Sequence, residues 1–63
     1  MNQGILTPAE CAKYIGVHRD TIYAMVRKKE IPHFRVRSRI FFRVESIDAW
    51  MREQEQKNTK SSA

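Results

Sequence analysis

The chemistry this sequence offers is cationic, and it is concentrated in one part of the chain. Residues 13–43 hold Lys13, Arg19, Arg27, Lys28, Lys29, Arg35, Arg37, Arg39 and Arg43 against only Asp20 and Glu30. That segment carries +7 and the flanks −2, within a formal net charge of +5. A basic run alone is usually a solvated face; this one is interleaved with residue types that address nucleic acid, which favours a polyanion as partner. Arg19 has the fork that spans guanine O6 and N7, and Asp20 either accepts from a cytosine amino group or simply suits a helix N-terminus. His18 lies beside them, and Ala24 a turn further on. Tyr23 suits a phosphate or a thymine methyl group, and Thr21 a phosphate. Arg27 and Lys28 would neutralise backbone charge without reading sequence, although Arg27-Lys28-Lys29 would also suit the negative end of a helix. A second basic group, Arg35, Arg37, Ser38 and Arg39, has the character of a minor-groove probe: a narrow A·T tract concentrates the negative potential that Arg37 and Arg39 would seek.

The first group needs a helix to present it, and residues 7–27 read as two short helices joined by a tight turn. Thr7 is a good N-cap, Pro8 suits the first helical position, and Glu10 completes a Thr-x-x-Glu capping box. Leu6 and Cys11 occupy the two positions of a hydrophobic staple. Ala9, Ala12 and Ile15 supply a buried stripe over about 8–15. Gly16 ends that helix, since glycine adopts a left-handed conformation without steric cost. A second helix over about 19–29 would bury Ile22, Met25 and Val26, and Ile31-Pro32 would stop it. Small Ala12 and the short turn make this a helix-turn-helix.

The second group needs a hairpin. From His33 to Arg43 the apolar period falls from 3.6 to 2, giving two strands with Arg37-Ser38-Arg39 at or near the turn. Phe34, Val36, Ile40 and Phe42 would face the helices; the arginines and an exposed Phe41 would lie opposite. A lone hairpin is unstable in water, so this one must lean on the helical unit. Ile47, Trp50 and Met51 mark a third helix over about 45–53, with Glu45 and Asp48 in its positive first turn and Trp50 as a core anchor. The expected organisation is a lead-in at 1–6, a folded unit at 7–53 and a frayed polar tail at 54–63. The expected fold is mainly α with a two-stranded β wing, a winged helix-turn-helix of three short helices and a hairpin.

Other function classes find little support. Cys11, His18 and His33 are separated by six and fourteen residues, with no Cys-x-x-Cys pair, so no metal site is expected. No activated serine or paired carboxylates stand out, and 63 residues leave little room for a catalytic cleft, so neither an enzyme nor a cofactor is expected. A single cysteine excludes an internal disulfide. No apolar run approaches a membrane span, and the first residues lack a signal peptide's pattern. A soluble intracellular protein is the expectation.

The segments LTPAECAKYIGVHRDTIYAMVRKKEIP, FRVRSRIFFR and VESIDAWM, in that order, resemble the small MerR-like winged helix-turn-helix proteins often called the excisionase family. The resemblance covers about residues 5–52. Three positions depart from the family pattern. His18 stands where Ser or Thr is usual at the second helix's N-cap, the wing turn lacks its common glycine, and Phe41 stands where a polar or basic residue is common. The resemblance implies double-stranded DNA as partner, helix two in the major groove, and the wing in the minor groove or on the backbone. It further implies a protein that is monomeric when free, binds neighbouring sites cooperatively, bends DNA, and directs an integrase towards excision. A MerR-type dimer would need a long heptad-patterned helix after the wing, which the polar residues there do not provide. Phe41 would touch a neighbouring copy or a deoxyribose. The same surface would also serve a small transcription regulator of a mobile element or phage. RNA binding is less suited, because single-strand recognition needs exposed stacking aromatics and only Tyr23 and Phe41 qualify. A basic adaptor without a nucleic-acid partner is the least specific alternative.

Overall fold

A computed structural model describes residues 4–62, with side chains to residue 57. The order is β1 (Ile5–Leu6), α1 (Pro8–Ile15), α2 (Arg19–Arg27), β2 (Phe34–Val36), β3 (Arg39–Arg43) and α3 (Val44–Ser62). Three helices and a small antiparallel sheet form the winged helix-turn-helix that the sequence leads one to expect.

Local chemistry sets the element ends. Thr7 Oγ1 accepts from the Glu10 N–H at 3.2 Å while the Thr7 N–H donates to Glu10 Oε1 at 2.9 Å, completing the capping box. Gly16, at φ +96°, closes α1 with its N–H on the Ala12 carbonyl at 2.8 Å. At the end of α2, the Lys29 N–H reaches the Val26 carbonyl and the Glu30 N–H that of Met25, at 3.0 and 2.9 Å. This is a Schellman closure, with Lys29 rather than glycine in the left-handed position at φ +57°.

The core is Cys11, Ala12, Ile22, Val26, Ile31, Phe42 and Ile47, ringed by Leu6, Ile15, Met25, Ile40, Trp50 and Met51. Ala9 is exposed, contrary to expectation, because the inward stripe of α1 is centred on Cys11, Ala12 and Ile15. Burial pushes the Cys11 thiol up to about 11. Trp50 is half-buried at the rim of the core, and its Nε1 donates to the Glu30 carbonyl at 2.9 Å. On the opposite side, the Tyr14 hydroxyl donates to Asp48 Oδ1 at 2.6 Å and ties α1 to α3.

Three expectations need correction. The lead-in is not merely a lead-in: β1 pairs with β3 through Ile5↔Arg43 and Leu6↔Phe42, so the sheet has three strands in the order β1-β3-β2. Helix α3 continues to Ser62 instead of ending near Glu53. Loss of the apolar stripe removes packing there, but Arg52-Glu53-Gln54-Glu55-Gln56-Lys57 are all good helix formers and nothing breaks them. The expected tail therefore begins as helix; its side chains from 58 onward lie outside the described residues.

The third correction concerns the wing. Its register is Phe34↔Phe41, Arg35↔Ile40 and Val36↔Arg39, closed by a two-residue loop of Arg37 and Ser38. Cross-strand partners share a face. Phe34 and Val36 therefore lie with Phe41 and Arg39 on the outer face, while Arg35 lies with Ile40 on the inner one. A three-residue turn at 37–39 would have paired Val36 with Ile40, which is the arrangement first expected. A one-residue slip exchanges the two faces of a strand. Arg37 makes the short loop possible by adopting φ +60°, and Val36 is left 53% exposed.

Candidate nucleic-acid interface

Helix α2 buries Ile22 and Val26, which turns Arg19, Asp20, Thr21, Tyr23 and Arg27 to solvent, with Lys28 exposed at its C-cap. Its start is fixed by His18, whose Nδ1 accepts from the Asp20 N–H at 3.1 Å. Imidazole thus takes the capping role usual for a hydroxyl or amide side chain. The same Nδ1 lies 3.6 Å from Asp20 Oδ2. Because that nitrogen is using its lone pair as an acceptor, the contact is not an ion pair, and Nε2 carries the ring proton. At His33 the roles are reversed: its Nδ1 lies 2.9 Å from the Ile31 carbonyl, which can only accept, so this nitrogen donates.

The wing supplies the second group. Arg37 and Ser38 form its tip, and Arg35, Arg37, Ser38 and Arg39 are all exposed. Phe41 is half-buried, not exposed as expected: its ring is 5.9 Å from that of Phe34 at an interplanar angle of 30°. The Arg39 guanidinium carbon stands 5.9 Å from the Phe41 centroid, at the outer range of a cation–π contact. Arg39 and Arg37 are therefore not equivalent. One is braced on an aromatic ring, the other projects from a left-handed turn.

Between α2 and the wing lies an open cleft of about 270 Å³, lined by Thr7, Pro8, Tyr23 and residues 38–41. It brings Tyr23 together with Ser38 and Arg39. Arg27 and Lys28 stand at the far end of α2, roughly 13 Å along the axis from Arg19. Thr7 and Pro8 were not foreseen here. Their sequence signal is that of a helix start, and only the packing of β1 beside β3 carries them to the cleft. Lys13 was counted with the basic run but not with the site; it lines a shallow depression with Val17, His18 and Arg19. Among the described residues no polar or charged side chain is buried, so all these charges face solvent. None of the described His, Cys, Asp and Glu residues cluster in threes as metal ligands would.

A family model described as a helix-turn-helix domain matches residues 5–55. The chain belongs to that helix-turn-helix family. The match spans all of β1 to β3 and the packed half of α3, so it takes in both α2 and the wing. No curated protein and no solved structure gave a significant match. Membership supports DNA binding by the helix-turn-helix unit. No helix among the described residues is long and apolar enough to cross a membrane.

Proposed function

We propose that this helix-turn-helix protein binds double-stranded DNA in a sequence-specific manner, as a MerR-like protein of excisionase type. In this reading it is intracellular and performs no covalent chemistry. The observation that carries DNA recognition is the pairing of α2, which exposes Arg19, Asp20, Thr21 and Tyr23 at its start, with an arginine-tipped wing across one open cleft. Helix α2 enters the major groove, where Arg19 and Asp20 reach base edges; His18 fixes the helix start that presents them. Arg27 and Lys28 lie on phosphates, and Arg37 enters the flanking minor groove.

The excisionase role rests on the resemblance of the sequence. It predicts a free monomer that fills neighbouring sites cooperatively, bends the duplex and assists an integrase. The outer face of the wing, with Phe34, Val36 and Phe41, is the surface such neighbours would share. A binding titration across a salt series, with duplex from the adjacent attachment region against random duplex, tests the first step. Stepwise specific complexes and integrase-dependent excision in their presence are the expected results. Specific binding confined to a promoter, with no effect on excision, would instead make the protein a transcription regulator.

A further inference from the structure

A helix in a major groove and a wing in the adjoining minor groove must straddle one sugar–phosphate strand. In this protein the space between the two is the cleft of about 270 Å³ beside Tyr23. We infer that this cleft is a seat for a single DNA phosphate, held by the Tyr23 hydroxyl, the Ser38 hydroxyl and the backbone N–H of Ile40. The inference rests on the DNA-binding reading above and assigns Tyr23 to the backbone instead of to a base.

The backbone donor follows from the sheet. Successive residues of a strand direct their N–H groups to alternate sides. The Val44 N–H donates to the Gly4 carbonyl at 2.9 Å, so the even-numbered residues of β3 point towards β1. Strand β1 covers only Phe42 and Arg43. The position that would pair with Ile40 is Pro8, where the chain has already turned into α1. The Ile40 N–H therefore opens on the cleft, at the free edge of β3.

The side chains around it are donors or neutral, and no carboxylate lines the cleft. Thr7 accepts from the Glu10 N–H through Oγ1, which leaves its hydroxyl hydrogen to donate. Arg39 adds positive charge at the wing side while braced against Phe41. Hydroxyls, a strand N–H and a guanidinium around an open, acid-free cleft suit an anionic oxygen that arrives on an extended chain.

The test scans a bound duplex with single methylphosphonates, which remove one backbone charge at a time, using the full chain and its Tyr23→Phe and Ser38→Ala variants. In the wild-type protein, one phosphate between the helix and wing footprints should be sensitive. Each variant should bind about three- to tenfold more weakly, equally on specific and random duplex, with an unchanged salt slope because neither residue is charged. At that same phosphate, the methylphosphonate penalty should shrink in both variants, as coupled partners require. Loss confined to the specific duplex in Tyr23→Phe would make Tyr23 a base reader and overturn the inference. So would coupling of the two residues to different phosphates, or to none, while DNA binding itself persists. If the wild-type chain binds no duplex at all, the DNA-binding reading fails first and this seat with it.

Discussion

Trp50 Nε1 donates to the carbonyl oxygen of Glu30 at 2.9 Å, so the third helix fastens the exit of the second. Glu30 is also the residue whose N–H closes α2 on Met25. The peptide that ends α2 is thus held from both sides, one of them by a side chain twenty residues downstream. Trp50→Phe keeps an aromatic ring at the core rim but removes the donor. It should lower stability by about 1–2 kcal/mol, measured by urea denaturation. At temperatures where the variant is fully folded, DNA affinity should change far less than if Trp50 stacked on a base.

Among the described residues, the two non-glycine residues with positive φ, Lys29 and Arg37, are both cations. Glycine relieves the steric cost of that conformation at the expense of a freer unfolded chain, so Lys29→Gly and Arg37→Gly should each raise stability by up to about 1 kcal/mol. For a domain of this size that is a rise of about 4–8 °C in Tm. Arg37→Gly should nevertheless weaken DNA binding and reduce the salt slope by about 0.9, because a charge leaves the wing tip. Scanning calorimetry beside a salt-dependent titration checks both halves. A more stable variant that binds DNA as well as the parent would remove Arg37 from the interface.

His18 and Arg19 are neighbours with separable roles. His18→Ala deletes the cap on the Asp20 N–H and should cost about 0.5–2 kcal/mol, whereas His18→Ser should restore most of it. Arg19→Ala should leave the fold intact, cost about 1–3 kcal/mol of binding and relax preference at one base pair. Selection of binding sites from a random pool by each variant distinguishes the two. Unchanged preference in Arg19→Ala would reject the proposed docking.

Stability should decline in alkali. The hydrogen bond to Asp48, with smaller contributions from burial and from that carboxylate's charge, holds the Tyr14 hydroxyl above its ordinary value of 10.0. A raised folded-state pKa means that the stabilisation is complete below the unfolded value and is lost as pH rises through the folded one. The buried Cys11 thiol acts in the same direction, between its ordinary 9.0 and about 11. Urea midpoints should therefore fall above about pH 9, and Tyr14→Phe should show a shallower fall with the Cys11 part remaining. At neutral pH, Cys11 should react with an alkylating reagent only on unfolding, since it is fully buried and protonated.

The local chemistry of the helices was legible in the sequence: Thr7 and Glu10 spelled out a capping box, Gly16 a helix end, and Ile22 with Val26 an inner face. Those signals act within a turn or two of chain. What the sequence hid depends on pairings across space. Ile5 and Leu6 are too few to show a strand period, and only the free side of Phe42 and Arg43 makes them one. The faces of β2 were misread because loop length, not composition, sets register, and nothing in Arg37-Ser38-Arg39 announces a left-handed arginine. The solvent-facing residues of α2 followed from its apolar stripe. The cleft that joins them to the wing did not, since Thr7 and Pro8 reach it through the sheet.

The two-residue loop gives the wing a parity. With the sequence unchanged, a turn that took in Arg39 as a third residue would pair Val36 with Ile40 and so turn Phe34 and Val36 towards the helices and Arg35 away from them; a four-residue turn would restore the present faces. The composition of the wing is the same in every case, and only the number of residues spent on the turn chooses its surface. Substitutions at Arg37 and Ser38 that favour a three-residue turn should therefore lose whatever the outer face of Phe34, Val36 and Phe41 now touches.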